Sequence, residues 1–447
     1  MFSSLIQGDF LLNLTIHRGC HEIGGSCVEL RNSSYSLFID FGMPLTEKNG
    51  VQYDIKSRAN QTGPELVKAR DLPDISGIYK WQNRSTYIKG LLLSHYHSDH
   101  CGFAKYLHPE IPVYAGEPTH RLLELNSLFT GIELFPGPKK NIKHKNPLAL
   151  GSFRITPYTV DHSAFDAYAF LVETDNKCLL YSGDLRSHGR KHNALPELFN
   201  ALSGKTIDAL ILEGTMLSSI ETEVKTEKDL EEDTVTLLNS SNSIALAYVS
   251  SHNIDRLVTF YRAAKRCKRL FVVDIYTANV LELFHNYANI PYPSKNFDNL
   301  KVFYPFNITS RLTESHNRNL AYKFNKFKIT RKEITDNQQN IIMTIRPSMM
   351  YDLRRINITN GGNFIYSIWK GSQLEKDNAM LINYARQNKM NINYIHTSGH
   401  ASVKTLKDLV FELNPKLIIP IHTMTPEGYS IFNAIIKTLQ DGKSLNL

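Results

Sequence analysis

The stretch KGLLLSHYHSDHCGF, Lys89 to Phe103, runs an apolar segment of strand character into three histidines and an aspartate: His95, His97, Asp99 and His100. His95 and His97 are two apart, so on an extended loop both side chains point the same way, while Asp99 and His100 sit one turn further along. Two of the four can face one ion and two a neighbouring ion. Imidazole nitrogen with carboxylate oxygen suits zinc, with manganese or iron as alternatives, and no cysteine takes part. An isolated histidine is usually a surface or capped core residue. Four such groups behind one apolar strand argue for metal.

Upstream, LTIHRGCHEIGGSCVELRNSSYSLFIDFG (Leu14 to Gly42) reads as two or three short antiparallel strands broken by Gly24-Gly25 and Asn32-Ser33-Ser34. Downstream, YIKGLLLS, FRITPYTV, AYAFLVET, KCLLYSGD and DALILEG add strands with polar loops after their ends, where sites are usually built. Past Glu213 the texture changes to strand, helix, strand, helix: SIALAYVSS, NIDRLVTFYRAAKRC, RLFVVDIY, TANVLELFHNYA. That alternation predicts a parallel, Rossmann-like layer. Its first helix shows Ile254, Leu257, Val258 and Tyr261 on one stripe with Arg256 and Arg266 off it. Between Pro291 and Ile345 the text is polar, basic and aromatic without clear periodicity. Further strands are expected at GNFIYSIW, NINYIHTSG and PKLIIPIHT, and a final helix near YSIFNAIIKTL.

A chain of 447 residues, 42% hydrophobic, is too long for one ordinary core and predicts two lobes or one domain with a large insertion. Its 51 Lys+Arg against 43 Asp+Glu, net +8, suit a polyanionic partner, though diluted over a large surface. Five cysteines without a CxxC pair support neither a disulfide framework nor a zinc finger and fit a reducing cytoplasm. The opening MFSSLIQGDFLLNLTIHRG lacks a basic start and is broken by Asp9, against a secretory signal, and no apolar run spans a bilayer.

His95, His97, Asp99 and His100 form HxHxDH, which resembles the signature of the metallo-β-lactamase fold. Further ligands expected from that resemblance follow in order, His162 in TVDHSAF and Asp184 in YSGDLR, while Asp40 in FIDFG would orient a ligand histidine without binding metal. A last histidine, His422 in IPIHT, arrives only after an insertion. With LILEGT (Glu213, motif A), IHTSGHAS (His400, motif B) and His422 (motif C), the chain resembles the β-CASP nucleases. EIGGSC, Glu22 to Cys27, resembles the opening of ribonuclease J and of the endonuclease of the cleavage and polyadenylation factor. Those groups generally carry further domains, so their dimerisation and RNA-grip habits are not carried over.

The resemblance implies an α/β architecture: a four-layer αββα metallo-β-lactamase domain at residues 1–214 and 391–447, with an inserted Rossmann-like β-CASP domain at 215–390. It implies two zinc ions, with manganese as alternative. His95, His97 and His162 would hold one, Asp99, His100 and His422 the other, and Asp184 both. Asp99, His400 and Glu213 are the candidate catalytic residues, His400 stabilising the scissile phosphate or protonating the leaving oxygen while Glu213 fixes its tautomer. Thr397, Ser398 and Gly399 are candidates for holding a 5′-phosphate. Ser250, Ser251 and Asn253 are a second candidate, against ordinary helix capping. The basic stretches KKNIKHK and YKFNKFKITRK read as nucleic-acid surfaces or as solvated loops. A histidine at motif C accompanies RNA-processing members, whereas DNA-repair members typically carry valine, so the implied substrate is single-stranded RNA, cut internally, from the 5′ end, or both. A DNA nuclease, a hydrolase of small esters, lactones or thioesters, and a scaffold subunit without catalysis are the competing readings. A protein partner or self-association stays open.

Overall fold

Short apolar runs bounded by turn residues become strands throughout the first 213 residues, and they assemble into two sheets. A computed structural model describes residues 12–47, 50–218, 224–314, 317–359 and 361–447. The start of the segment weighed as a secretory signal, residues 1–11, lies outside them. One sheet has the order Lys443–Asn446, Asn13–Arg18, Cys27–Arg31, Ser36–Ile39, Ile88–Leu92, Val113–Gly116, Lys139–Ile142. Its opening strands are antiparallel, as their tight turns require, and it turns parallel from Ser36–Ile39 onward. The second sheet runs Ile418–Ile421, Ala209–Glu213, Cys178–Tyr181, Ala167–Glu173, Phe153–Val160, Leu148–Leu150.

The inward faces of these sheets share one core, Leu14, Val28, Leu37 and Leu92 meeting Ile155, Phe170, Tyr181 and Ile419. Outer faces are covered too. Helix Gly63–Lys68 places Leu66 over Phe38 and Leu91, while helices Ala194–Leu202 and Val403–Leu413 cover Leu180, Leu210 and Leu212. The result is the expected αββα sandwich.

The third sheet is wholly parallel, ordered Leu300–Phe303, Leu270–Asp274, Ile341–Ile345, Ala245–Tyr248, Gly362–Tyr366, Met390–Tyr394. Helices Glu227–Asn239, Ile254–Arg266 and Ile275–His285 pack on one face. The same cluster takes in Tyr96, Leu122, Leu125, Phe129 and Ala164, so the inserted layer shares a core with the sandwich.

Two expectations need correction, and two readings gain detail. Met390–Tyr394 pairs residue by residue with Gly362–Tyr366, so the return to the sandwich falls after Tyr394, not at 391. Arg256, off the apolar stripe, is fully buried because Glu227 receives its guanidinium at 3.0 Å. The segment YSIFNAIIKTL is not a helix: a 3-10 turn ends at Ile431, and the following chain lies along Ile418–Ile421, Ile418 N donating to Ile435 O (2.8 Å). β-branched residues there satisfy an otherwise open sheet edge. The unassigned 291–345 region contains two strands and three short helices, one started by a Thr330/Glu333 capping box that apolar periodicity does not reveal. Among the described residues no helix is long and apolar enough to cross a membrane, and all five cysteines are free thiols.

Candidate metal centre

The HxHxDH residues leave the carboxyl end of Ile88–Leu92, beside the end of Ser36–Ile39, where Asp40 sits. His97 ends the extended stretch and starts the short helix Ser98–Cys101, which turns Asp99 and His100 inward. Asp40 and His422 both adopt left-handed backbone, φ 59° and 54°. Both are buried non-glycine residues held there at strand ends. Gly42 is required by approach: a Cβ on it would lie 1.7 Å from Asp99 O.

All seven expected ligand residues converge in two clusters. His95, His97 and His162 form one, and Asp99, His100, Asp184 and His422 the other, with donor atoms in each within 4.8 Å of one another. His97 Nδ1 lies 3.1 Å from His95 Nε2 and 3.2 Å from His162 Nε2. Asp99 Oδ2 is 3.2 Å from His422 Nε2. Asp184 stands between the groups: its Oδ2 is 3.1 Å from His100 Nε2, 3.8 Å from His95 and His422, and 4.0 Å from His162. Its Oδ1 is buried without a hydrogen-bond partner. A bare buried carboxylate oxygen amid imidazoles is what a cation would satisfy, so the donor set fits a two-metal site.

Charge state agrees in the first cluster. Burial, reinforced by neighbouring imidazoles, holds His95 and His162 well below the usual histidine range, and burial brings His97 down to about 4. Neutral rings offer the lone pairs metal binding needs. Burial opposes charge on Asp184, but His100, His422 and His400 outweigh it and keep the carboxylate ionised.

The outward nitrogens are held as well. His100 Nδ1 lies 2.8 Å from Asp40 Oδ2, His95 Nδ1 3.0 Å from Ser94 Oγ, His162 Nδ1 2.5 Å from Gly399 O, and His422 Nδ1 2.8 Å from Thr215 Oγ1. Asp40 also accepts from Ser94 N and Oγ and from Tyr181 OH, each at 2.7 Å. Such partners fix ring orientation and raise ligand basicity. Asp40 was expected in this position; Ser94, Thr215 and Tyr181 were not singled out, although Thr215 stands two places after Glu213.

His400 flanks the second cluster, Nδ1 3.3 Å from Glu213 Oε2 and 3.7 Å from Asp184 Oδ2. Burial disfavours its charge, yet Glu213 and Asp184 prevail and raise it to about 9. Glu213 also accepts from Ala401 N (3.3 Å) and Leu185 N (3.2 Å), tying motif A to both neighbouring loops.

The loop 395–400 is held through its carbonyls. Arg186, fully buried, donates to Ser398 O (3.1 Å), Asp161 Oδ1 (3.2 Å) and Asp255 Oδ2 (2.5 Å). Arg256 donates to Thr397 O (3.4 Å) and Ile395 O (3.4 Å) while paired with Glu227, and His188 Nε2 lies 2.8 Å from Ser398 O. Of the three phosphate candidates, Thr397 spends its hydroxyl on Lys225 O (2.6 Å) and Ser398 Oγ accepts from His400 N (3.0 Å). Gly399 presses on the first cluster: a Cβ there would meet Ser163 Oγ at 2.7 Å and His162 Cε1 at 3.2 Å. Elsewhere, Asn253 caps its helix by accepting from Arg256 N (3.1 Å), and Ser251 bonds Thr277 (2.7 Å). Cys101 Sγ donates to Tyr96 O.

Burial beside Arg186 pushes His188 down to about 4. The unfolded ring, near 6.5, takes its proton first as pH falls, so the neutral folded form contributes stability that is complete above about 6.5 and lost toward 4. In chelator, urea midpoints are expected to fall across that window by about 1.4 kcal/mol per pH unit for this residue, and a His188→Asn variant to show a shallower slope. Equal slopes would remove His188 from the account.

The Beta-lactamase superfamily domain model matches residues 75–245. Ribonuclease J of Helicobacter pylori (strain ATCC 700392 / 26695) is 21% identical over 414 residues, 90% of this chain and 55% of its own length. An RNase J-like protein of Methanocaldococcus jannaschii is 24% identical over 278 residues, 59% of this chain and 58% of its own. The chain thus spans about half the length of the curated relatives it matches. A crystal structure of a protein of unknown function from Enterococcus faecalis V583 superposes with a TM-score of 0.78 at 19% identity, covering 98% of this chain and 100% of that one. The chain therefore carries a metallo-β-lactamase superfamily domain and is a distant homologue of ribonuclease J across 90% of its length.

Proposed function

We propose that this protein is a two-zinc phosphodiesterase of β-CASP type that cleaves single-stranded RNA, manganese being the alternative metal. The observation that carries the reading is the pair of clusters meeting at Asp184, whose Oδ2 lies within 4.0 Å of imidazoles from both. His95, His97 and His162 would hold one ion and Asp99, His100 and His422 the other, with Asp184 placed to serve both. Two ions held there would supply charge to polarise phosphoryl oxygens and to lower the pKa of a water nucleophile. Asp40, Ser94, Gly399 O and Thr215 keep the four rings they touch aimed inward. His400, steadied by Glu213, is not needed for coordination and donates a proton to the leaving oxygen. Ser398 and Gly399 receive the 5′-phosphate, and Thr397 serves mainly to anchor their loop. The sandwich comprises residues up to 214 and those after Tyr394, with the inserted sheet between them. RNA is favoured over DNA by His422 at motif C and by the relatives bearing the ribonuclease J name. A cytoplasmic location fits the free thiols.

Matched RNA and DNA oligonucleotides with 5′-monophosphate, 5′-hydroxyl or 5′-triphosphate ends, incubated with zinc or manganese, test this beside an Asp99→Ala/His100→Ala control. Metal-dependent cleavage of RNA alone is expected, and the product ladder separates trimming from internal cutting. Cleavage of DNA alone would shift the reading to a DNA nuclease. His400→Ala is expected to slow cleavage by about 10²–10⁴ with metal content unchanged. An unaltered rate and pH profile would remove the proton-donor role.

A further inference from the structure

We propose a second contact for single-stranded RNA, away from the metal clusters, on the carboxyl edge of the inserted sheet. It is built from Phe306, Tyr351 and Arg355, with Lys328 and Arg331 beside them. Phe306 and Tyr351 are 52% and 40% exposed, yet their rings lie side by side, centroids 5.0 Å apart at 32°. The Arg355 guanidinium covers the Tyr351 ring at 3.5 Å. Next to this platform opens a cleft of about 330 Å³, lined by Tyr304, Phe306, Thr309, Lys328 and Arg331 among others. Lys328 Nζ stands 5.5 Å over Tyr304, and Thr309 Oγ1 is buried without a hydrogen-bond partner.

Charge complementarity names the occupant. Residues 318–332 hold six cations, Arg318, Lys323, Lys326, Lys328, Arg331 and Lys332, and no acid. The one carboxylate lining the cleft, Asp352, is turned to internal work: it accepts from Phe306 N (2.9 Å) and stands 3.8 Å from Arg331. Lys323 is paired with Glu282 and Arg331 stands near Asp352, but the cations outnumber the acids; exposed rings beside such an excess of positive charge are what an unpaired strand requires, since bases stack on the rings whatever their sequence and phosphates take the cations.

Topology puts the platform within reach of the clusters. Phe306 follows strand Leu300–Phe303, three strands across from Ala245–Tyr248. At about 4.8 Å per strand that is about 14 Å along one rim. Ala245–Tyr248 leads to His252, whose carbonyl takes the Tyr96 hydroxyl at 2.9 Å, one residue from His97. Ligands of parallel α/β sheets gather at this carboxyl edge.

The purpose of the contact rests on the proposed phosphodiesterase activity; its existence does not. The test uses the full chain, a fluorescein-labelled 20-nucleotide RNA and its DNA counterpart read by anisotropy, and hydrolysis of bis(p-nitrophenyl) phosphate as a minimal substrate. Phe306→Ala/Tyr351→Ala is expected to weaken RNA binding at least about tenfold, with minimal-substrate hydrolysis and the melting curve unchanged. Arg355→Gln is expected to flatten the dependence of log K on log salt by about 1. Binding of RNA and DNA within twofold of wild type in both variants would overturn the proposal, as would equal loss of binding and of minimal-substrate hydrolysis. If wild type cleaves and the variants match it in affinity, only this contact falls. If wild type binds, the variants do not, and nothing is cleaved, the contact stands and the nuclease reading falls.

Discussion

Replacing Asp184 with alanine is expected to cut metal-dependent phosphodiester hydrolysis by at least about a thousandfold, the scale of several kcal/mol of transition-state charge stabilisation. Among the described residues no other carboxylate lies within 4.0 Å of imidazoles from both clusters: Asp99 reaches His422 and His100, and Asp40 is committed to His100 from outside. Elemental analysis after dialysis should show less than the wild-type metal content, with at least one ion lost. The fold should persist, because the sandwich core does not involve this side chain. A variant that keeps two ions and most of its activity would dissolve the shared-carboxylate assignment, and with it the symmetry of the proposed centre.

Arg186→Met is expected to destabilise the protein by about 3–5 kcal/mol in urea titrations, because it strands partners rather than merely deleting a contact. Asp161 and Glu227 are 1% exposed, and Asp255 takes the guanidinium from the inserted layer. Adding Asp255→Asn to the variant should recover part of the loss, as a double-mutant cycle would register. Amide exchange in 395–400 should quicken as well, since Ser398 O loses its arginine donor. A variant as stable as wild type would mean that water or rearranged neighbours already neutralise these carboxylates.

Much of this centre can be read from sequence because chemistry crowds its residues: four candidate ligands lie in six positions at one strand end, and His162, Asp184 and His422 each follow a strand as well. The residues that aim them do not announce themselves. Thr215 is an ordinary hydroxyl until folding brings His422 beside it, and Ser94, although next to His95 in the chain, is oriented only once Asp40 accepts its hydroxyl. Arg256 looks like a solvated helix residue because Glu227, which makes its burial tolerable, lies outside the helical window that judges it. The segment after Tyr429 has apolar spacing fit for a helix, yet a neighbouring strand edge uses the same residues better. In 291–345 the helices are too short for periodicity to accumulate, and capping chemistry marks only Arg331–Asp336.

The strand order of the sandwich also bears on how the protein is made. Lys443–Asn446 pairs with Asn13–Arg18, and Ile418–Ile421, which delivers His422, pairs with Ala209–Glu213. Neither sheet is complete until the strands Ile418–Ile421 and Lys443–Asn446 have left the ribosome. The inserted layer can gather around its own parallel strands earlier, whereas the sandwich waits on contacts of very high sequence separation, which slow folding. During synthesis the nascent chain would display the HxHxDH histidines without their final partner, a window in which stray metal or a chaperone meets a half-built centre.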